Sequence, residues 1–88
     1  MLKYHAAYYE IEDGWYMARV LDFPGTISQG RTLKQARFMI RDALRLMAEC
    51  TLEGGGTLPR PNARARDKNA VFREIIPLQI KARTGAVA

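Results

Sequence analysis

The chain has 88 residues, 48% hydrophobic and 26% charged, with a net charge of +5, one cysteine and one histidine. That length fits one domain, which buries only about 60 to 65% of its unfolded surface, so association would add stability. Cys50 alone cannot form an intramolecular disulfide, Cys50 and His5 cannot complete a closed zinc site, and no apolar run nears the roughly 20 residues of a membrane span.

The opening "MLKYHAAYYEIEDG" lacks the apolar core of a signal peptide, so a cytoplasmic protein is expected. The charge is uneven. Residues 1–30 carry two basic and four acidic residues, net −2, and residues 31–88 carry twelve basic and five acidic, net +7. A basic patch attracts nucleic acid, membrane surfaces or acidic proteins alike, and its sign does not choose among them.

"KYHAAYYEI" and "WYMARVL" are rich in aromatic and β-branched residues, and Asp13-Gly14 between them suits the positive φ angles of a tight hairpin. Alternation puts Tyr16, Ala18 and Val20 on one face of the second strand and Trp15, Met17, Arg19 and Leu21 on the other. Neither face is polar. A helix is therefore expected on one side of the sheet, and a second subunit or the C-terminal segment on the other, which points to a homo-oligomer. In "DFPGT", Pro24 and Gly25 fit the central positions of a type II turn, and "TISQG" returns as a third short strand ending at Gly30. Thr32 followed by Gln35 has the form of a capping box.

Leu33, Ala36, Ile40, Ala43, Leu44 and Met47 recur at helical spacing and predict an amphipathic helix to about Cys50 or Thr51. Lys34, Arg37, Arg41 and Arg45 form a basic stripe beside that apolar arc. The glycines, prolines and basic residues of "EGGGTLPRPNARARDKN", Arg64 and Arg66 among them, predict a loop. "AVFREIIPLQIKA" resumes a strand pattern from Val71 to about Ile76 and less clearly to Lys81, in which Pro77 requires an edge or a bulge. The terminal "RTGAVA" reads as frayed.

Catalytic chemistry finds little support in these residues. The acids Glu10, Asp22, Asp42 and Glu49 are spread over a strand end, a turn and a helix, and do not read as a set converging on metal ions. Cys50 stands at a helix C-terminus, whose dipole disfavours a thiolate, His5 lies on a strand, and Ser28 has no hydrolase elbow around it. "EGGGT" lacks the lysine of a phosphate-binding loop. Tyr4, Tyr8, Trp15 and Tyr16 could stack on bases, but they sit in the acidic third of the chain and suit a core or interface better. No enzyme, cofactor or metal is expected.

The order β-β-β-α-β, with Asp13-Gly14, Asp22, Pro24-Gly25, Gly30, Thr32, Ala36, Ala43-Leu44 and "LPRP" at 58–61, resembles the HicB antitoxin family over residues 4–61. The resemblance implies an α+β domain with a partial ribonuclease H-like fold, a three-stranded antiparallel meander, one main helix and a C-terminal strand. It also implies that the protein binds and blocks a small mRNA-cleaving toxin of the HicA type and self-associates as a dimer or tetramer. On this reading one domain covers 1–88, with a core over 1–52, a loop over 53–70 and a strand over 71–82. Too little chain follows Val71 for a separate DNA-binding module. The turn and cap residues Gly14, Pro24, Gly25, Gly30 and Thr32 are architectural, and Glu10, Glu12, Asp13 and Asp22 could offer an acidic hairpin end to a basic toxin. The alternative is a nucleic-acid contact through Lys34, Arg37, Arg41, Arg45, Arg64 and Arg66, or an orphan oligomer with no toxin.

Overall fold

The computed structural model describes residues 1–80. Strands β1 (Lys3–Glu10), β2 (Tyr16–Val20) and β3 (Ile27–Gly30) form the expected meander, α1 spans Leu33–Glu53, and β4 spans Phe72–Pro77. All pairings are antiparallel, in the order β3-β2-β1-β4. Lys81, Ala82 and the terminal six residues, where the sequence predicts a strand end and fraying, lie outside the described residues.

Local chemistry explains each junction. Asp13 and Gly14 both take positive φ, 60° and 77°, and Trp15 N–H donates to Glu12 O, which makes the type I′ turn that suits the twist of a hairpin. Phe23 O accepts Thr26 N–H across Pro24 and Gly25, with Gly25 at φ 86°, as a type II turn requires. Thr32 Oγ1 accepts the Gln35 N–H at 3.0 Å. The Gln35 side chain, however, reaches back one residue further than a standard capping box and accepts from Arg31 N–H at 2.6 Å. The helix runs two to three residues beyond its predicted end. It closes in a Schellman motif, with Gly56 N–H donating to Thr51 O and Gly55 N–H to Leu52 O.

Ala36, Ile40, Leu44 and Ala48 of α1 are buried against Tyr4, Ala6, Tyr8, Ala18 and Val20 of the sheet, with Leu33, Ala43 and Met47 packed at the margin. The predicted apolar arc is thus the core face, and Ala48 extends it by one turn. Gly30 is not a turn residue as the sequence reading had it: it is buried where β3 meets the helix, and a Cβ there would lie 2.5 Å from Ala36 N.

The cover on the other face corrects a sequence expectation. His5, Ala7 and Tyr9 alternate onto the face away from α1, yet His5 is 6% and Ala7 0% exposed. Their burial is complete within the described residues of one chain. The segment between α1 and β4 covers them, running back along β1 as a strap. It is held where Asp22 accepts the Asn62 N–H (2.9 Å), where Arg73 donates to Ala65 O (3.2 Å), and where Tyr9 Oη donates to Asp67 (2.7 Å). The irregular backbone reads as a loop in sequence, but its polar groups find partners on the sheet.

Pro77 is explained by the pairing. Leu78 N–H bonds Leu2 O, in register with Tyr4↔Ile76, so the even-numbered residues of β4 bond β1 and the odd-numbered ones turn their backbone groups outward. Proline therefore stands where its missing N–H leaves no ladder bond unmade.

Candidate protein-binding face

The β1–β2 turn projects Glu12 and Asp13 into solvent, with Glu10 exposed at the end of β1 beside them. Glu10 accepts a hydrogen bond of 3.3 Å from Tyr16 Oη, and the Glu10 charge is the main cause that raises the Tyr16 pKa. Beside the turn, Ile11, Glu12, Trp15 and Gln29 line an open groove of about 510 Å³. Trp15 forms its aromatic wall, and Arg31 stacks over that ring at 5.3 Å. The acids were legible in sequence. The groove was not, because Gln29 reaches it from β3 and only the sheet register brings it there.

Asp22 does not join these acids. It lies at the opposite end of β1, beside His5, and five residues of extended strand separate it from Glu10 by about 17 Å. It is buried, and its carboxylate accepts the His5 N–H (2.8 Å), the His5 Nδ1–H (2.7 Å) and the Asn62 N–H (2.9 Å). This charge is buried, engaged internally and holds the strap, so it is not available to a partner at the hairpin end.

The basic stripe is largely neutralised. Glu74 of β4 takes Arg37 through two bonds of 2.9 Å and Arg41 at 3.5 Å, while Arg45 pairs with Asp42 (2.6 Å) and Glu49 (3.4 Å). Burial pushes the Glu74 pKa up, but the hydrogen bonds from Arg37 and Tyr8 and the charges of Arg41 and Arg37 outweigh it and hold the group below the ordinary carboxyl range. Arg64 and Arg66 are exposed on the strap, across the sheet from the stripe, so these six cations do not form one surface. Glu74 was missed in sequence because 29 positions and a loop separate it from Arg45, and only topology joins them.

Among the described residues no three His, Cys, Asp or Glu side chains are placed to hold a metal ion, and no helix is long and apolar enough to cross a membrane.

No protein-family model matches the chain. The fold is shared with a solved structure: the crystal structure of the N-terminal domain of the Burkholderia pseudomallei antitoxin HicB matches 90% of this chain and 100% of that one, with a TM-score of 0.74 at 21% identity. A UPF0150 protein of Thermoplasma acidophilum is 36% identical over 62 residues, which is 70% of this chain and 90% of that protein. The chain belongs to this UPF0150 family, the HicB-like family.

Proposed function

We propose that this protein is a HicB-like antitoxin of the cytoplasm that binds a small HicA-type, mRNA-cleaving toxin and inhibits it stoichiometrically, with no catalysis of its own. In this reading a single domain, a partial ribonuclease H-like fold, does the work and self-associates. The observation that carries it is the exposed group Glu10, Glu12 and Asp13 around the Trp15 groove, on a protein whose net charge is +5. A protein that binds RNA carries a basic surface, and an acidic rim with an aromatic anchor suits such a partner. A nucleic-acid contact by the helix stripe is less well supported, because Glu74, Asp42 and Glu49 already neutralise it.

The test is a tagged pull-down from the native cell after nuclease treatment, followed by reconstitution with the protein that co-purifies. Recovery of one small basic protein whose RNA cleavage stops at equimolar ratio supports the proposal, and charge reversal by Glu12→Lys with Asp13→Lys then weakens binding at least tenfold. Undiminished binding by that double variant removes the acidic face from the proposal. Recovery of nuclease-sensitive RNA or DNA alone overturns it in favour of phosphate binding, which weakens log-linearly with salt.

A further inference from the structure

The sheet has two open edges, and they differ. The β3 edge is four residues long and carries one exposed apolar side chain, Ile27 at 58%, before the polar Ser28 and Gln29. The β4 edge is six residues long, and large apolar side chains stand exposed along it: Val71 and Ile75 at 56%, Ile80 at 42% and Phe72 at 38%. Phe38 of α1, 70% exposed, faces the same edge across a groove of about 510 Å³ that Pro77 and Ile80 also line. The helix lies over β3 and β2 and stands back from β4. Among the described residues no strand pairs with this edge. Exposed apolar clusters beside unpaired strand backbone mark association surfaces.

We propose that β4 pairs antiparallel with β4 of a second copy about a two-fold axis through Ile75, which joins two four-stranded sheets into one of eight strands. This rests on the self-association in the reading above and adds the surface and its register. The occupant follows from self-complementarity. Arg73, Ile75 and Pro77 turn their backbone groups outward. With Ile75 on the axis, each Ile75 N–H meets the other Ile75 carbonyl, and each Arg73 N–H meets the partner's Pro77 carbonyl. Proline forfeits only the return bonds. This register also puts the partner's Phe72 next to Leu78, on the helix side of the sheet, at the mouth of the Phe38 groove. An axis through Glu74 would instead set two carboxylates directly opposite each other.

Sedimentation velocity at micromolar concentration tests the proposal, with Ile75→Lys and, on the other edge, Ile27→Lys. The wild type and Ile27→Lys are expected to sediment at twice the 10.0 kDa chain mass, and Ile75→Lys at the single mass, still folded, with a cooperative thermal melt lowered only by the loss of association. Because Ile75 is exposed, that variant folds. In a second arm Cys50→Ser removes the native thiol, and Ile75→Cys or Ile27→Cys supplies a new one. A short bismaleimide is expected to join the chains through position 75 but not through 27, because residues paired on the axis have Cα atoms about 5.5 Å apart. A dimer that survives Ile75→Lys, or cross-links at 27 and not 75, overturns the surface but leaves self-association standing. A wild-type chain that stays monomeric overturns both, and toxin inhibition keeps its own separate test.

Discussion

Arg37 of the helix grips Glu74 of the last strand through two parallel hydrogen bonds of 2.9 Å, Nε to Oε1 and Nη2 to Oε2. Tyr8 Oη donates to the same Oε1 at 2.6 Å, so one carboxylate ties together α1, β1 and β4. The Arg37 side chain is 42% exposed and the Glu74 side chain 14%, so solvent screens the pair on one side only. Glu74→Gln is expected to lower stability by about 1 kcal/mol, which in a domain of this size moves the melting temperature by about 4 to 8 °C. A double-mutant cycle with Arg37→Gln measures the pair, and a coupling energy near zero would show that the bidentate contact contributes nothing.

The same carboxylate gives the protein a pH dependence. Glu74 and Asp67 both have lowered pKa values, Asp67 chiefly through the Asn69 backbone N–H and then Tyr9 Oη. A carboxyl whose folded pKa lies below its unfolded one stabilises the fold above the unfolded value and loses that contribution as pH falls through the folded value. Stability should therefore decline in acid below the ordinary carboxyl values of 4.5 and 3.8. At the other extreme, burial and the Asp67 hydrogen bond push Tyr9 up to about 12, so its contribution is present below its ordinary 10.0 and disappears as pH rises through about 12. Urea midpoints measured across pH check both limbs, and the acid limb should be shallower in Glu74→Gln. An unchanged acid limb in that variant would assign the decline to other groups.

Asp22 and His5 define the second anchor. With three donors converging on a buried carboxylate, Asp22→Ala strands the His5 N–H, the His5 Nδ1–H and the Asn62 N–H together. The expected loss is about 3 kcal/mol. Because Asn62 belongs to the strap, trypsin should cut at Arg64, Arg66 or Lys68 well before the chain unfolds globally. If cleavage of the variant tracks only its global unfolding, Asp22 is not what fastens the strap.

The contrast between Asp22 and α1 shows what the sequence makes legible. The helix announces itself because Leu33, Ala36, Ile40, Ala43, Leu44 and Met47 recur at spacings of three and four residues, and the turns because Asp13-Gly14 and Pro24-Gly25 have few conformations open to them. The meander, helix and last strand follow from such local signals. Asp22 reads equally well as a solvent-facing acid or as a buried clamp, since its three donors come from positions 5 and 62. The strap is equally silent, because irregular backbone held by scattered long-range bonds has no period. Of the candidate site, the acidic turn was legible and the groove beside it was not, since Gln29 enters only through pairing of β3 with β2.

Gly25 and Gly30 should respond differently to substitution. Gly25 sits at φ 86° with only Met47 Cε near a prospective Cβ, at 3.6 Å, so its requirement is conformational. Gly25→Val is expected to lose about 1 to 3 kcal/mol, whereas Gly25→Asn, which tolerates left-handed backbone, loses much less. At Gly30 the obstacle is space, since a Cβ meets Ala36 N at 2.5 Å and Gln35 C at 2.9 Å, both helix backbone. Gly30→Ala should already lose about 2 to 3 kcal/mol, and Gly30→Asn should be no better. Thermal melts of the four variants decide it. A Gly25→Val protein that melts like the wild type but no longer binds its partner would turn this motif from an architectural element into a recognition site.

Thr26 carries the last prediction. Its Oγ1 is buried and has no hydrogen-bond partner among the described residues, while its own backbone is fully engaged, N–H to Phe23 O and carbonyl to Val20 N–H. A buried hydroxyl without a partner costs about 1 to 3 kcal/mol, and valine has nearly the same shape without the hydroxyl. Its β-branched side chain also suits extended backbone leading into β3. Thr26→Val is therefore expected to raise the unfolding free energy by about 1 kcal/mol, an unusual sign for a core substitution. Chemical denaturation of the two proteins side by side reads the difference, and a loss of stability in Thr26→Val would mean that the hydroxyl makes a favourable interaction in solution.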